Sequence, residues 1–267
     1  MKTKLCLILA VCASLQSCYM ADAQIIWLST KNMDFTNCDR EERAVKNFDA
    51  ISNTCPFDVI YEQSDKQYVI VEGDEVYFDR ISTNVSRGVL EIKIDPSRYR
   101  NVRLRVKVGS PDITRLSMNG SGSIKCVSDI YTDDDLVLQV SGSGDIVAKD
   151  IECSNLKTSV AGSGDIYVSS IDAADISISV TGSGDWGAKM INSLNLSMAV
   201  AGSGDINIAE VDIEDTMSAS VAGSGDIAAS GKAANVKATV TGSGDISGRV
   251  AYDHITKVKN GSGDIDW

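Results

Sequence analysis

The stretch Leu136-Val137-Leu138-Gln139-Val140-Ser141-Gly142-Ser143-Gly144-Asp145-Ile146-Val147-Ala148 holds the unit from which most of the chain is built. Leu136, Leu138 and Val140 alternate along one strand face. A Gly-Ser-Gly-Asp corner follows, and a second strand restarts at Ile146 and Ala148. The corner recurs from Gly162, Gly182, Gly202, Gly223, Gly242 and Gly261, with a divergent copy, Gly-Ser-Gly-Ser, from Gly120. Successive starts lie 22, 20, 20, 20, 21, 19 and 19 residues apart. A period near twenty over eight copies is that of a solenoid, each repeat one coil stacked on the last.

The rest of each repeat agrees. The strand before the corner carries Leu156, Thr158 and Val160, then Ile176, Ile178 and Val180, then Leu196, Met198 and Val200, and so on to Val236, Ala238 and Val240. After each Asp stands a large apolar residue: Ile146, Ile166, Trp186, Ile206, Ile227, Ile246 and Ile265. A third apolar position follows at Ile151, Ile171, Ile191 and Val211. Twenty residues are too few for a strand-helix-strand coil, and no helical period is present. The expectation is all-β: a right-handed parallel β-helix with coils of about 20 residues, whose like residues stack and bury one another. Trp186 replaces Ile in its row and is expected in the core. In the last copy Lys257 and Lys259 occupy apolar positions, which reads as a polar end-cap against edge pairing, with Trp267 over the open end.

Upstream, residues 24–119 read as N-terminal strands of the same domain, leading into coil repeats at 120–267. Residues 25–28 suggest a first strand, and residues 39–45 a charged lead-in, helical or extended. Phe57, Val59 and Tyr61 share a strand face. Gly73-Asp74 offers a break and an N-cap for a short helix over 75–81. Residues 89–94 form a strand ended by Pro96. Over residues 101–108, Val102, Leu104, Val106 and Val108 alternate with Arg103, Arg105 and Lys107. Arg98 and Arg100 extend that basic row. It is a solvated strand face, a patch for acidic glycan or lipid headgroups, or an internal counter-charge.

The N-terminus reads as an export signal. Lys2 and Lys4 precede an apolar run over residues 5–15, too short to span a bilayer. Two endings fit: a lipobox, Ser14-Leu15-Gln16-Ser17-Cys18, which makes 1–17 the signal and Cys18 the lipidated residue, or cleavage after Ala23. The run ends directly against the lipobox, which favours it. The membrane is then engaged only through that anchor.

The chain has 37 acidic and 25 basic residues, formal net charge −12. Within residues 120–267 the count is 21 acidic against 9 basic. That excludes nucleic acid and anionic lipid as partners of the coils. With one His and no C-x-x-C pair, zinc is not indicated. Export permits disulfides, and Cys38 with Cys55 is the candidate bridge.

The corner Gly residues have a backbone reason, and the Asp residues are expected to bond nearby N–H groups as in an Asx turn. Asp145, Asp165, Asp185, Asp205, Asp226, Asp245 and Asp264 would then stack one coil apart. Unit charges ~5 Å apart repel by about 0.8 kcal/mol in water. Backbone donors offset this, or calcium does, calcium being the only cofactor the pattern suggests. No P-loop and no G-x-S-x-G elbow occurs, and the single His254 lies in a degraded copy. A regular repeat argues against a catalytic site, which ordinarily breaks one.

Phe48-Asp49-Ala50-Ile51, Phe57-Asp58-Val59, Val71-Glu72-Gly73-Asp74-Glu75 and Gly88-Val89-Leu90, followed by the Gly-Ser-Gly-Asp-Ile series, resemble the bacterial family described as "putative auto-transporter adhesin, head GIN domain". The resemblance runs from about residue 45 to the end. It implies one right-handed β-helical domain of an exported protein in Bacteroides-type bacteria, at the periplasm or outer-membrane surface, with no catalytic residues to carry over. The function expected is a non-enzymatic adhesin or binding module for glycan or a cell-surface protein. The alternatives are a polysaccharide-active β-helix enzyme and an envelope spacer without a ligand.

Overall fold

The computed structural model describes residues 35–95 and 102–267. The suggested strand at 25–28, the leader with Cys18, and Arg98 and Arg100 lie outside them. Residues 38–267 form one unit.

That unit is a β-solenoid. Six strand-like coils stack in parallel: β12 (Asp145–Gly162), β13 (Ile166–Gly182), β14 (Trp186–Gly202), β15 (Ile206–Gly223), β16 (Ile227–Gly242) and β17 (Ile246–Gly261), followed by β18 (Ile265–Asp266). Labels β1 to β11 belong to the strands that precede them. Each coil has three short faces. In β13, Ile166 and Val168 are buried on the first, Ile171 and Ala173 on the second, and Ile176, Ile178 and Val180 on the third. Alternation holds within a face, and a three-residue step resets it at the corners between faces. The apolar row runs Ile146, Ile166, Trp186, Ile206, Ile227, Ile246 and Ile265 in direct register. Each buried Ile contributes about 1.5–3 kcal/mol, which only a neighbouring coil can supply.

Unequal repeat lengths are absorbed away from the Gly-Ser-Gly-Asp corner. Register shifts fall between Ser193 and Asn195, between Ile208 and Val211, and between Ile213 and Thr216. Gly162, Gly182, Gly202, Gly223, Gly242 and Gly261 stay aligned.

The N-terminal end is built out of chain order. Its strands are β1 (Asp39–Glu42), β2 (Ala50–Asn53), β3 (Asp58–Gln63), β4 (Tyr68–Gly73), β5 (Ile81–Ser86), β6 (Val89–Ile94), β7 (Leu104–Ser110), β8 (Arg115–Met118), β9 (Ser123–Cys126), β10 (Ile130–Tyr131) and β11 (Leu136–Gly142). The first coil, β2 and β3, is sandwiched between β6 and β7 on one side and β8 and β9 on the other. The chain leaves that coil and returns beneath it. β4 runs antiparallel to β7, β1 to β4, and β5 to β6, so antiparallel strands close the stack. The charged lead-in is therefore partly strand, β1. The expected helix is a 3₁₀ segment, Glu75–Arg80, and Asp74 makes no capping bond. Its carboxylate instead accepts the Arg103 backbone N–H at 3.0 Å.

At the other end, Lys257 and Lys259 take the register positions of Ala238 and Val240. Lys257 Nζ donates to the carbonyls of Trp267 at 2.8 Å and Ile265 at 3.2 Å, and Lys259 Nζ meets Asp264 at 2.6 Å. Trp267 joins the core and donates its indole N–H to Ser247 O at 2.6 Å. Lys257 thus satisfies two carbonyls of the last coil, Lys259 neutralises the last corner carboxylate, and an indole covers the apolar core. Trp186 is fully buried, and its Nε1 has no hydrogen-bond partner. Such a group costs about 1–3 kcal/mol.

The candidate disulfide is absent. Cys38, Cys55, Cys126 and Cys153 are all thiols. Cys55 faces the core at the corner between β2 and β3, fully buried, with Sγ 3.5 Å from Ile92 O, whereas Cys38 precedes the outermost strand β1. Burial pushes the Cys55 and Cys126 thiols up to about 12 and Cys153 to about 11. These are inert core residues rather than nucleophiles.

Candidate functional site: two side-chain ladders and a groove

The repeated corner is set by stacked backbone. Gly162 has φ +136°, and a Cβ there would lie 2.3 Å from Gly142 O; at Gly164 it would lie 2.0 Å from Gly144 O. Both Gly residues are therefore dictated by the preceding coil. Gly142 O accepts two N–H groups from the next coil, Ser163 at 2.9 Å and Gly164 at 3.1 Å, a pattern that repeats up the stack.

The Asp carboxylates bond between coils and not within their own turn, which corrects the Asx expectation. Asp145 Oδ1 accepts the Asp165 N–H at 3.1 Å, and Asp165 Oδ1 accepts the Asp185 N–H at 2.7 Å. Asp205, Asp226, Asp245 and Asp264 continue the row at 2.7–2.9 Å, each N–H donating to the carboxylate of the preceding coil. In return, the Ile146 N–H donates to Asp165 O at 2.9 Å. Burial above all, with the like charges of adjacent rungs, raises the carboxyl pKa of Asp165, Asp185 and Asp205, and the backbone N–H offsets part of that rise. Asp145 is raised by burial and by Asp58, against the N–H of Asp165 and the charge of Lys125.

The ladder starts earlier than the repeat shows. Cys55-Pro56-Phe57-Asp58 sits where Gly120-Ser121-Gly122-Ser123 sits one coil on, because Val59 pairs with Ile124. Asp58 is thus the first rung. It accepts Ser123 Oγ at 2.7 Å and pairs with Lys125 at 2.6 Å. Buried Asn53 holds this divergent corner, accepting the Cys55 N–H at 2.9 Å and donating to Phe57 O at 3.2 Å. The 65-residue offset from Asp58 to Ser123 carries no repeated motif, since Cys55 and Phe57 stand where the later corners have Gly.

A second ladder, at the corner leading into the third face, was also not read from the sequence. Asn155 Nδ2 donates to Asp135 Oδ1 at 2.7 Å, Asn195 Nδ2 to Asp175 Oδ1 at 2.8 Å, and Asn235 Nδ2 to Asp215 Oδ1 at 2.9 Å. Asn195 Oδ1 in turn accepts the Thr216 N–H at 3.3 Å. Acid and amide alternate in register from Asp135 to Asn195; Thr216 takes the next register position, with Asp215 beside it at the register shift, and the sequence spacing of 20 residues was the available signal. A groove of about 410 Å³ runs along this corner over five coils, from Asp135 to Thr216 and Ser218. His254 takes the register position after Asn235.

The basic strand face turns inward electrostatically. Glu72 on β4, 1% exposed, receives Arg105 at 2.6 Å, Arg40 at 3.1 Å and Lys107 at 3.4 Å, while Arg103 lies 3.7 Å from Asp74. Burial opposes ionisation of Glu72, but the hydrogen bond and charge of Arg105, with Lys107, outweigh it and lower its pKa. The row neutralises β4 and not the acidic coils.

Among the described residues, no three His, Cys, Asp or Glu side chains converge to hold a metal. Stacking spreads the Asp carboxylates along a line. Nor is any described helix long and apolar enough to cross a membrane.

With the stacked coils, the out-of-order N-terminal end and the corner ladder in view, comparison with known proteins is specific. The model of the family described as "putative auto-transporter adhesin, head GIN domain" matches residues 47–214 and 187–267. The chain belongs to this family. It is similar to a solved "putative lipid binding protein" from Parabacteroides distasonis, 27% identical, over 86% of this chain and 96% of that one, with TM-score 0.75. Two solved "putative adhesin" structures share the fold at TM-score 0.78: one from Parabacteroides merdae (19% identical, covering 86% and 95%) and one from P. distasonis (22% identical, covering 86% and 96%). No curated protein matches the sequence.

Proposed function

We propose that the protein is a non-enzymatic binding module exposed on the bacterial envelope, its solenoid a rigid platform for ligands outside the cell. The observation that carries this reading is the use made of the corner carboxylates. Each spends an oxygen on the backbone N–H of the next coil. A catalytic carboxylate must be reachable at its reacting oxygen and set apart from its neighbours in pKa. Here Asp145, Asp165, Asp185 and Asp205 are all half-buried and all shifted in the same direction, so none is set apart from the next. Membership in a family described as adhesins supports binding, and the leader at residues 1–17 supports export. In this reading Cys18 carries the lipid anchor and calcium is not required.

The test is a pair of assays on the purified mature chain. Binding to bacterial or host cell surfaces and mucins above a matched acidic control protein is expected, with no release of reducing or unsaturated sugar from a polysaccharide panel. Release of sugar, or no binding to any surface, would overturn the reading. In cells, Cys18→Ser is expected to move the protein from the membrane fraction to the soluble exported fraction.

A further inference from the structure

The groove beside the Asp/Asn ladder has a chemistry of its own. It runs over the strand positions of Leu156, Ile176 and Leu196, whose side chains are buried in the core. One wall is the alternating acid–amide corner. The other carries exposed Ser177 and Ser197, then Ser218, with Lys157 near one end. We propose that this groove binds a neutral, extended, polyhydroxylated chain, a linear glycan without carboxylate or sulfate groups, laid along the solenoid axis. The proposal rests on the binding-module reading and names the ligand class for it.

Three observations carry it. First, polar groups recur once per coil, at the strand spacing of about 4.8 Å, so an occupant spanning several coils must itself be extended and repeating. An extended peptide repeats its side chains on one face every ~6.6 Å and falls out of step. A pyranose chain advances by roughly one coil per sugar. Second, in the two pairs that line the groove, Asp135 with Asn155 and Asp175 with Asn195, Asp Oδ1 and one Asn amide hydrogen satisfy each other at 2.7 and 2.8 Å. Asp Oδ2 and the second Asn hydrogen are left for a ligand, so acceptors and donors alternate along the wall. Hydroxyl groups, which donate and accept, match either rung. Third, the ladder places Asp135 and Asp175 in the groove, and the coils carry 21 acidic against 9 basic residues, which disfavours a polyanion.

The experiment uses the full mature chain, ¹⁵N-labelled, titrated with cellohexaose and mannohexaose, with the matching trimers, and with hexagalacturonate. At least one neutral hexamer is expected to shift the amides around Asn155, Asp175 and Asn195. It should bind at least ten-fold more tightly than its trimer, and hexagalacturonate should leave those amides unmoved. Ser197→Trp, an exposed position, fills the groove and should abolish those shifts while the remaining spectrum stays that of the wild type. Neutral hexamers that leave the groove amides unmoved overturn the proposal, as does equal binding of hexagalacturonate or of Ser197→Trp. If the wild type and Ser197→Trp bind cell surfaces equally, the groove assignment falls and the binding-module reading stands. If neither binds any surface, both fall.

Discussion

The two ladders solve one problem in two ways. Stacking a polar corner brings like groups together in every coil. At the second corner, Asp135, Asn155, Asp175 and Asn195 alternate, and Asp215 beside Thr216 meets Asn235, so each acid meets an amide donor and no acid meets another. At the Gly-Ser-Gly-Asp corner every coil from Asp145 to Asp264 repeats the acid, and the backbone supplies the donor. Alternation removes the repulsion; the first corner retains it and compensates with N–H groups. The difference shows that the Gly-Ser-Gly-Asp repeat is held by backbone geometry and the other corner by side-chain complementarity.

The harshest way to break the comparison is Gly164→Ala. Its Cβ would fall 2.0 Å from Gly144 O, a backbone atom that cannot step aside. A loss of about 3 kcal/mol or more is expected in denaturant melts, against about 1 kcal/mol for Asn155→Ala at the other corner. Equal losses would show that the first corner is no more backbone-bound than the second. Next in size is Glu72→Gln, which leaves Arg105, Arg40 and Lys107 without their buried counter-charge. A loss of about 2 kcal/mol is expected, below the 3–5 typical of fully buried pairs because the cations are partly exposed.

These expectations also locate what was readable in advance. Gly162 and Gly164 announced themselves because the carbonyls of the preceding coil leave no room for any other side chain, so the motif had to recur in full. Asp58 escaped because Cys55 and Phe57 occupy the glycine positions of its corner. The second ladder escaped because two residue types share its duty and neither alone recurs each coil. The closure by β4, β5 and β1 escaped for a topological reason: β6 and β7 lie beneath a coil made earlier in the chain, and no local pattern encodes that order. The basic row was legible as a strand face, but its counter-charge on β4 lies some thirty residues upstream.

Smaller effects sharpen the contrast. Asn195→Asp would set an acid directly against Asp175 and remove that residue's amide donor, and should cost about 1 kcal/mol at pH 7. Asp185→Asn does the reverse at the first corner. It retains an Oδ1 acceptor for the Asp205 N–H and relieves repulsion, so stability within about 0.5 kcal/mol of wild type, or slightly above it, is expected. The two substitutions should thus have opposite signs in thermal melts.

The pH dependence separates the groups further. Asp145, Asp165, Asp185 and Asp205 have folded pKa values above the unfolded 3.8, so the folded state holds more protons in that window. Their destabilising contribution is present at neutral pH and fades as pH falls through the raised values. Glu72 is lowered from 4.5, so its stabilisation, complete above that value, is lost as pH falls through its folded pKa. Tm should therefore hold or rise slightly on mild acidification and then fall. Asp185→Asn should flatten the first part and Glu72→Gln remove part of the second. Smallest of all is the expected calcium effect: millimolar calcium should leave Tm unchanged. A rise of several degrees, lost in Asp185→Asn, would assign the outward carboxylate oxygens to the ion.

The alternation at the second corner also sets a counting rule for how such a molecule can lengthen by duplication. Gly-Ser-Gly-Asp corners are interchangeable, so that side tolerates gain or loss of a single coil. Asp and Asn are not. Between Asp135 and Asn195, removing the coil of Asn155 would set Asp135 against Asp175, and removing the coil of Asp175 would set Asn155 against Asn195, whereas removing both leaves Asp135 facing Asn195. In that stretch the corner keeps its pairing only when length changes by a pair of coils.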